Sequence, residues 1–191
     1  MSTKSDLLCE AETLLRSRGY AAFSYADLSK KIGIRKASIH HHFPTKESLG
    51  LTLVDEYLVE FRKRLDAISA NSEYMSDRLR DYADLFIEAT QNQRLPLCGA
   101  LAVDVNSMPD SLQRKTHEFF GIHIEWLTGI LADGIRSGSV RPGLSARAAA
   151  LMVLSNLEGG SLVALAMNDN KIVKESFEAK LGALLPADRI E

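Results

Sequence analysis

The sequence predicts an all-α protein of about nine helices. Three observations carry that expectation. Apolar residues recur at i, i+3, i+4 and i+7 almost throughout. No stretch of five or more residues alternates apolar and polar as a half-buried strand would. Glycine, proline and small hydroxyl residues fall where the periodic segments begin and end. The chain has 191 residues, 46% of them hydrophobic and 25% charged, enough apolar material for a full globular core.

The elements follow in order. Leu7, Leu8, Ala11, Leu14 and Leu15 line one face of a first helix, and Gly19 stands where a C′ glycine ends one. Ser24, with Asp27 three residues on, reads as a capping box that opens a short helix running to Ile32. Gly33 supplies a tight turn. A third short helix spans about Lys36 to Phe43, with Ile39 and Phe43 facing inward, and Pro44 stops it. Thr45 caps a long fourth helix whose stripe is Leu49, Leu53, Tyr57 and Phe61. Residues 75–92 are amphipathic. Residues 97–106 form a short apolar helix after Leu95-Pro96. Met108-Pro109 opens a long helix ending near Arg136. After a loop at 137–143, residues 145–167 form an Ala- and Gly-rich helix, and 171–185 form the last.

The stretch MSTKSDLLCEAE has no apolar core of a secretion signal. The longest apolar segment, 146–167, contains Arg147, Asn156, Glu158 and Gly159-Gly160, so no run of the roughly 18 residues of a membrane span is expected. Two cysteines, Cys9 and Cys98, make no disulfide framework. These features predict a cytoplasmic protein without a membrane partner.

The net charge of −2 is unevenly spread. Residues 1–50 carry eight Lys/Arg against five Asp/Glu, and three of the five histidines; the remainder is net acidic. A basic head on an acidic body points to a polyanion met by the head alone.

Within the head, two short helices joined by a tight turn form a helix-turn-helix pattern, the second helix opening on a basic pair. Three consecutive histidines, His40, His41 and His42, lie in it. Adjacent side chains on a helix splay about 100° apart, so the three cannot converge on one ion, and no metal site or other cofactor is predicted. No carboxylate stands close in sequence to orient a catalytic imidazole, so the chain is not expected to be an enzyme. His40 and His41 are expected on the exposed face of the helix, and His42 against the start of the fourth helix.

The stretch GYAAFSYADLSKKIGIRKASIHHHFPTKESL resembles the DNA-binding domain of the TetR family of transcriptional repressors. The resemblance rests on Gly19-Tyr20, Ser24, Gly33-Ile34, Ser38-Ile39, His40-His41-His42-Phe43 and Lys46-Glu47. It covers about 45 residues, and length and helix order fit the family over the rest. Two positions depart from its pattern: Arg35 stands where Ser or Thr is frequent, and His40 where Tyr is.

The resemblance implies a domain division at residues 1–48 (DNA binding) and 49–191 (effector binding and dimerisation). It implies a ligand- or stress-responsive repressor that binds a near-palindromic double-stranded operator as a homodimer and releases it on binding a small-molecule effector. Lys36, Ala37, Ser38, His40 and His41 would then enter the major groove. Ser24, Tyr25 and Lys46 would meet phosphate, and Arg35 a phosphate or a guanine. Dimer contacts are expected from Ala149, Val153, Leu157, Gly160 and Ala164 on one helix. The next helix would add Ile172, Phe177, Leu181 and Leu184. An effector pocket is expected among Tyr82, Phe86, Cys98, Leu101, Met108, His117, Phe120, His123, Trp126, Met152 and Asn156. Cys98, near a helix start, also suggests an electrophile- or redox-sensing repressor. An activator, or an all-α carrier or enzyme, are the other readings.

Overall fold

The computed structural model describes residues 3–186. Its helices are α1 (Thr3–Arg18), α2 (Tyr25–Ile32), α3 (Lys36–His42), α4 (Lys46–Asn71), α5 (Met75–Gln91), α6 (Leu97–Val103), α7 (Asp110–Arg136), α8 (Ala146–Met167) and α9 (Lys171–Leu184). A single 3-10 turn, Val105–Ser107, joins α6 to α7, and there is no strand among the described residues. The all-α expectation holds. The apolar segment expected to be helical to residue 106 stops earlier. Asp104 leaves the α-helical ladder, its N–H reaching Leu101 O at 3.2 Å, and the chain tightens into the 3-10 turn.

The chain forms two compact units. The first holds residues up to Phe61 together with Leu97–Phe119; the second holds Arg62–Pro96 and the chain from Phe120 onward. The boundaries fall inside α4 and inside α7. The first unit thus reaches past residue 48 and takes in a segment distant in sequence.

In the first unit α1 packs on α2 and on α6, and α2 on α3. The α1 stripe, Leu7, Leu8, Ala11, Leu14 and Leu15, is buried, as are Leu28, Ile39, Phe43 and Leu49. Burial of a Leu- or Phe-sized side chain is worth about 1.5–3 kcal/mol each, so this small cluster fixes α1 and the two short helices α2 and α3, which would be marginal alone.

In the second unit α5, α8 and α9 pack on one another. The stripes that sequence spacing assigns to a dimer face lie in this core. Ala149, Val153, Leu157, Ala164, Phe177, Leu181 and Leu184 are all buried within the single chain. Gly160 is where α8 meets α9: a Cβ there would stand 3.0 Å from Ser176 Oγ and 3.7 Å from Val173 Cα. Ile172 is half-buried. The dimer assignment of these residues is corrected for a physical reason. Periodicity identifies an apolar face but not whether its partner is intrachain.

A second correction concerns α8 as a span. It is one uninterrupted helix of 22 residues, long and apolar enough by length and composition to cross a membrane, with a mean hydropathy of 1.5 over its best window. Two glycines and two charges dilute that average less than the Leu, Val and Ala raise it. Of that window 39% is buried, against α9 and α5.

Candidate nucleic-acid interface

The interface is built on α2 and α3. Ser24 is an extended N-cap whose Oγ accepts from Ala26 N at 3.2 Å; Asp27 Oδ2 accepts from both Ser24 N and Ser24 Oγ at 2.7 Å. The capping box read from sequence is therefore formed. Those hydrogen bonds from Ser24 hold the Asp27 carboxyl below its usual range. At the other end Gly33 adopts φ +77°, left-handed, and its N–H donates to Ser29 O at 2.9 Å. A Cβ is unfavourable at that angle. Ser29 Oγ donates to Ile34 O at 2.6 Å and closes the turn.

The second helix starts on Arg35, which makes no side-chain cap. Its guanidinium has donors only, so it cannot accept from a backbone N–H. Ile39 and Phe43 anchor α3 inward. Arg35, Lys36, Ala37, Ser38, His40 and His41 are all exposed and lie on one continuous tip. Two cations, a small residue, a hydroxyl and two imidazoles, in that order, match what phosphates and major-groove base edges take.

Three residues sit differently from expectation, and a fourth, His40, is exposed as expected but held in place. His42 is exposed, its ring edge-on to His41 at 5.5 Å, not tucked against α4. His40 is exposed but tethered: Nδ1 lies 3.2 Å from Pro44 O, and its ring meets Tyr25 edge-on at 4.8 Å. Tyr25 is a half-buried strut, donating its hydroxyl to Phe43 O at 2.9 Å, and burial pushes its pKa up to about 12. Lys46 turns inward. Its Nζ donates to Tyr20 O and Phe23 O at 2.5 Å each and lies 4.4 Å from the centroids of both rings. Burial lowers its pKa, opposed by the Asp104 and Asp27 charges. With its ammonium on two carbonyls and two rings, Lys46 faces inward in this structure and not toward the surface where phosphate is expected.

Sequence reasoning missed Lys4. It is exposed at the start of α1, its Nζ 6.0 Å from the Phe43 ring centroid beside the end of α3. Nothing in local spacing points to it, because its neighbour is far along the chain.

The residues expected to line an effector pocket separate. In the second unit Tyr82, Phe86, Phe120, His123 and Trp126 come together. Tyr82 stacks on Trp126 at 5.2 Å and meets Phe86 at 5.3 Å. The Tyr82 hydroxyl and His123 Nδ1 are 2.5 Å apart. His123 also faces Phe86 and Phe120, and burial drives its pKa down to about 3, so the ring is neutral at pH 7. Trp126 Nε1 donates to Ser69 Oγ at 3.0 Å and borders an open groove of about 380 Å³ with Arg62, Leu65, Asp66, Ile122 and Glu125. Met152 and Asn156 line a different groove, with Leu151, Ser155 and Lys180. Cys98, Leu101 and Met108 are core residues of the first unit, and His117 is exposed, so it lines no interior.

A capped helix, a glycine turn and an anchored second helix with a basic, polar outer face define a helix-turn-helix DNA-binding protein. Comparison with known proteins narrows the class. Residues 7–51 match the family described as bacterial regulatory proteins, tetR family. A TetR-family transcriptional regulator from Agrobacterium tumefaciens is 31% identical, with 96% of this chain and 97% of that one covered and a TM-score of 0.91. The HTH-type transcriptional regulator CymR of Pseudomonas putida is 28% identical over 140 residues, 71% of this chain and 68% of CymR. FadR of Bacillus subtilis, solved in complex with stearoyl-CoA, shares the fold at 20% identity and a TM-score of 0.69, with 94% of this chain and 98% of that one covered. The chain belongs to the TetR family of transcriptional regulators.

Proposed function

We propose that the chain is a homodimeric, cytoplasmic repressor that reads a near-palindromic operator with the α2–α3 hairpin and leaves it when a small molecule binds the body. The exposed face of α3 carries this reading: Arg35 and Lys36 for phosphate or guanine, Ala37 and Ser38 for close approach, His40 and His41 for base edges or phosphate. Ser24 and Tyr25, at the start of α2, frame the approach to the backbone.

The dimer reading rests on the other side of α8. Leu151, Leu162, Val163 and Met167 are 40%, 48%, 50% and 68% exposed. Leu151, Ser155 and Leu162 share one face of the helix, and Val163 and Met167 extend it sideways, an exposed and largely apolar surface suited to a second copy. Two heads must stand about one DNA turn apart, roughly 34–36 Å, or a multiple of it, to read both half-sites.

The effector reading rests on the Tyr82–Trp126–His123 cluster. Stacked rings with a neutral imidazole and a phenol favour a largely apolar molecule with one polar group. The FadR neighbour was solved with stearoyl-CoA, whose acyl chain is apolar. The Cys98-sensor alternative is disfavoured because the thiol is only 2% exposed.

The test is a titration of the pure protein against DNA flanking its own gene, beside scrambled DNA of equal length, at two salt concentrations. Tight, salt-sensitive binding to the flanking DNA with two protomers per site is expected. Loss of that affinity in the Lys36→Ala, His40→Ala double variant is also expected. Equal, weak binding to both DNAs would refute the reading.

A further inference from the structure

His40 stands on the exposed tip of α3, yet its ring is held in one orientation. Its Nδ1 lies 3.2 Å from Pro44 O. A carbonyl oxygen only accepts, so Nδ1 carries the hydrogen and donates it. The Tyr25 ring meets the imidazole edge-on at 4.8 Å. Tyr25 is itself pinned, because its hydroxyl donates to Phe43 O at 2.9 Å. Two contacts from outside α3, one from the first residue of α2 and one from Pro44, therefore select one orientation and one tautomer.

The tautomer decides what the other ring nitrogen can do. A neutral imidazole carries a single N–H. With that hydrogen on Nδ1, Nε2 keeps its lone pair and only accepts. The two ring nitrogens point in divergent directions, so Nε2 faces away from Pro44 O. Phosphate oxygens also only accept, so a neutral His40 held this way makes no hydrogen bond to the DNA backbone. A tyrosine, frequent at this position in the family, has a hydroxyl that can donate to phosphate. In the major groove, guanine N7 and O6 and thymine O4 are acceptors, and the donors are the exocyclic amines of adenine and cytosine.

We propose that His40 is a specificity-determining residue: its bare Nε2 accepts from the exocyclic amine of an adenine or a cytosine in the major groove, and so favours those bases over guanine and thymine on the strand it faces. The assignment rests on the DNA-binding reading above and deepens it. Because the ring is already fixed, little side-chain freedom is lost when the contact forms.

The probe is the duplex that the wild-type protein enriches from a random-sequence library. Each adenine and cytosine in it is replaced in turn by a base that lacks the amine, purine for adenine and 2-pyrimidinone for cytosine. Affinities are measured at about pH 8, where an ordinary imidazole is neutral. At one position in each half-site the replacement should weaken wild-type binding about fivefold, the worth of one net hydrogen bond, and weaken His40→Ala binding by less than about twofold. The weaker base pairing of the analogue is common to both proteins and cancels in the ratio. His40→Lys, which only donates, should be as insensitive as His40→Ala, and its charge keeps it bound if the alanine variant binds too weakly to measure. A second readout needs no DNA: nitrogen NMR of the free protein should find the His40 hydrogen on Nδ1 and Nε2 bare. A hydrogen on Nε2 overturns the proposal, and so does equal sensitivity of wild type and both variants at every position. If the wild-type protein enriches no duplex, the DNA-binding reading itself fails, and this assignment with it.

Discussion

His123 gives the sharpest stability test. Its ring is buried against Tyr82, Phe86 and Phe120, and burial lowers its pKa from 6.5 to about 3. In the unfolded chain the imidazole titrates near its ordinary value. Between those two values the unfolded state binds one proton more than the folded state. Stability therefore rises with pH across this window and falls as the solution is acidified. Going from pH 7 to pH 5, the loss from this one group is about 2 kcal/mol, at 1.36 kcal/mol per pH unit below the unfolded pKa. The folded value lies well under 5, so the loss at pH 5 is set by the unfolded imidazole alone. Other groups titrate too, so the measurement is a double difference. Urea unfolding is followed at pH 7 and pH 5 for the wild type and for His123→Gln, at one protomer concentration because dimerisation would shift the midpoint. The wild type should lose about 2 kcal/mol more than the variant on acidification. Equal losses in the two proteins would refute the reasoning.

The remaining predictions concern the head and the thiols. Ser24→Ala removes the N-cap of α2 and should cost about 1 kcal/mol in denaturant unfolding; a cost near zero would mean that the box contributes nothing. Gly33→Ala meets no atom within 4 Å, so its cost should be backbone strain alone, about 1 kcal/mol, and a much larger loss would contradict that account. Lys46→Met leaves the Tyr20 and Phe23 carbonyls without their donor and should destabilise by about 1–3 kcal/mol, while leaving the salt slope of DNA binding unchanged; a slope reduced by about one would place Lys46 on phosphate instead. In native protein a thiol reagent should titrate Cys9, which is exposed, fast, and Cys98, which is buried, only after denaturant is added; two fast thiols would revive the sensor reading.

Much of the fold was legible because helical spacing and its punctuation are local. The α1 stripe, the Ser24–Asp27 box, Gly33 and the Pro44 stop all involve residues within a few positions of one another. The exposed tip of α3 was legible for the same reason: once Ile39 and Phe43 are inward, the residues between them and Arg35 are outward. Direction over longer distances was not legible. Lys46 bonds to carbonyls 26 and 23 residues earlier, and nothing near it in sequence marks it as inward. On α8 two apolar faces compete. The small-residue stripe of Ala149, Val153 and Gly160 meets the chain's own core, and the larger residues Leu151, Leu162, Val163 and Met167 are the exposed ones. His117 and His123 are six apart on one helix and end in opposite environments, one exposed and one wholly enclosed.

The inward lysine also bears on how the protein searches a chromosome. A regulator spends most of its time on sequence it does not want, held there by the counterions its cations displace. Read from composition, the head offers eight cations; Lys46 is withheld, and Arg16 is already bound to Glu12 at 2.7 Å. Fewer displaced ions mean shorter stays on random DNA and more exchange through solution. On the proposed DNA-binding reading, fewer displaced ions leave more of the hold on an operator to the exposed residues of the run Arg35 to His41.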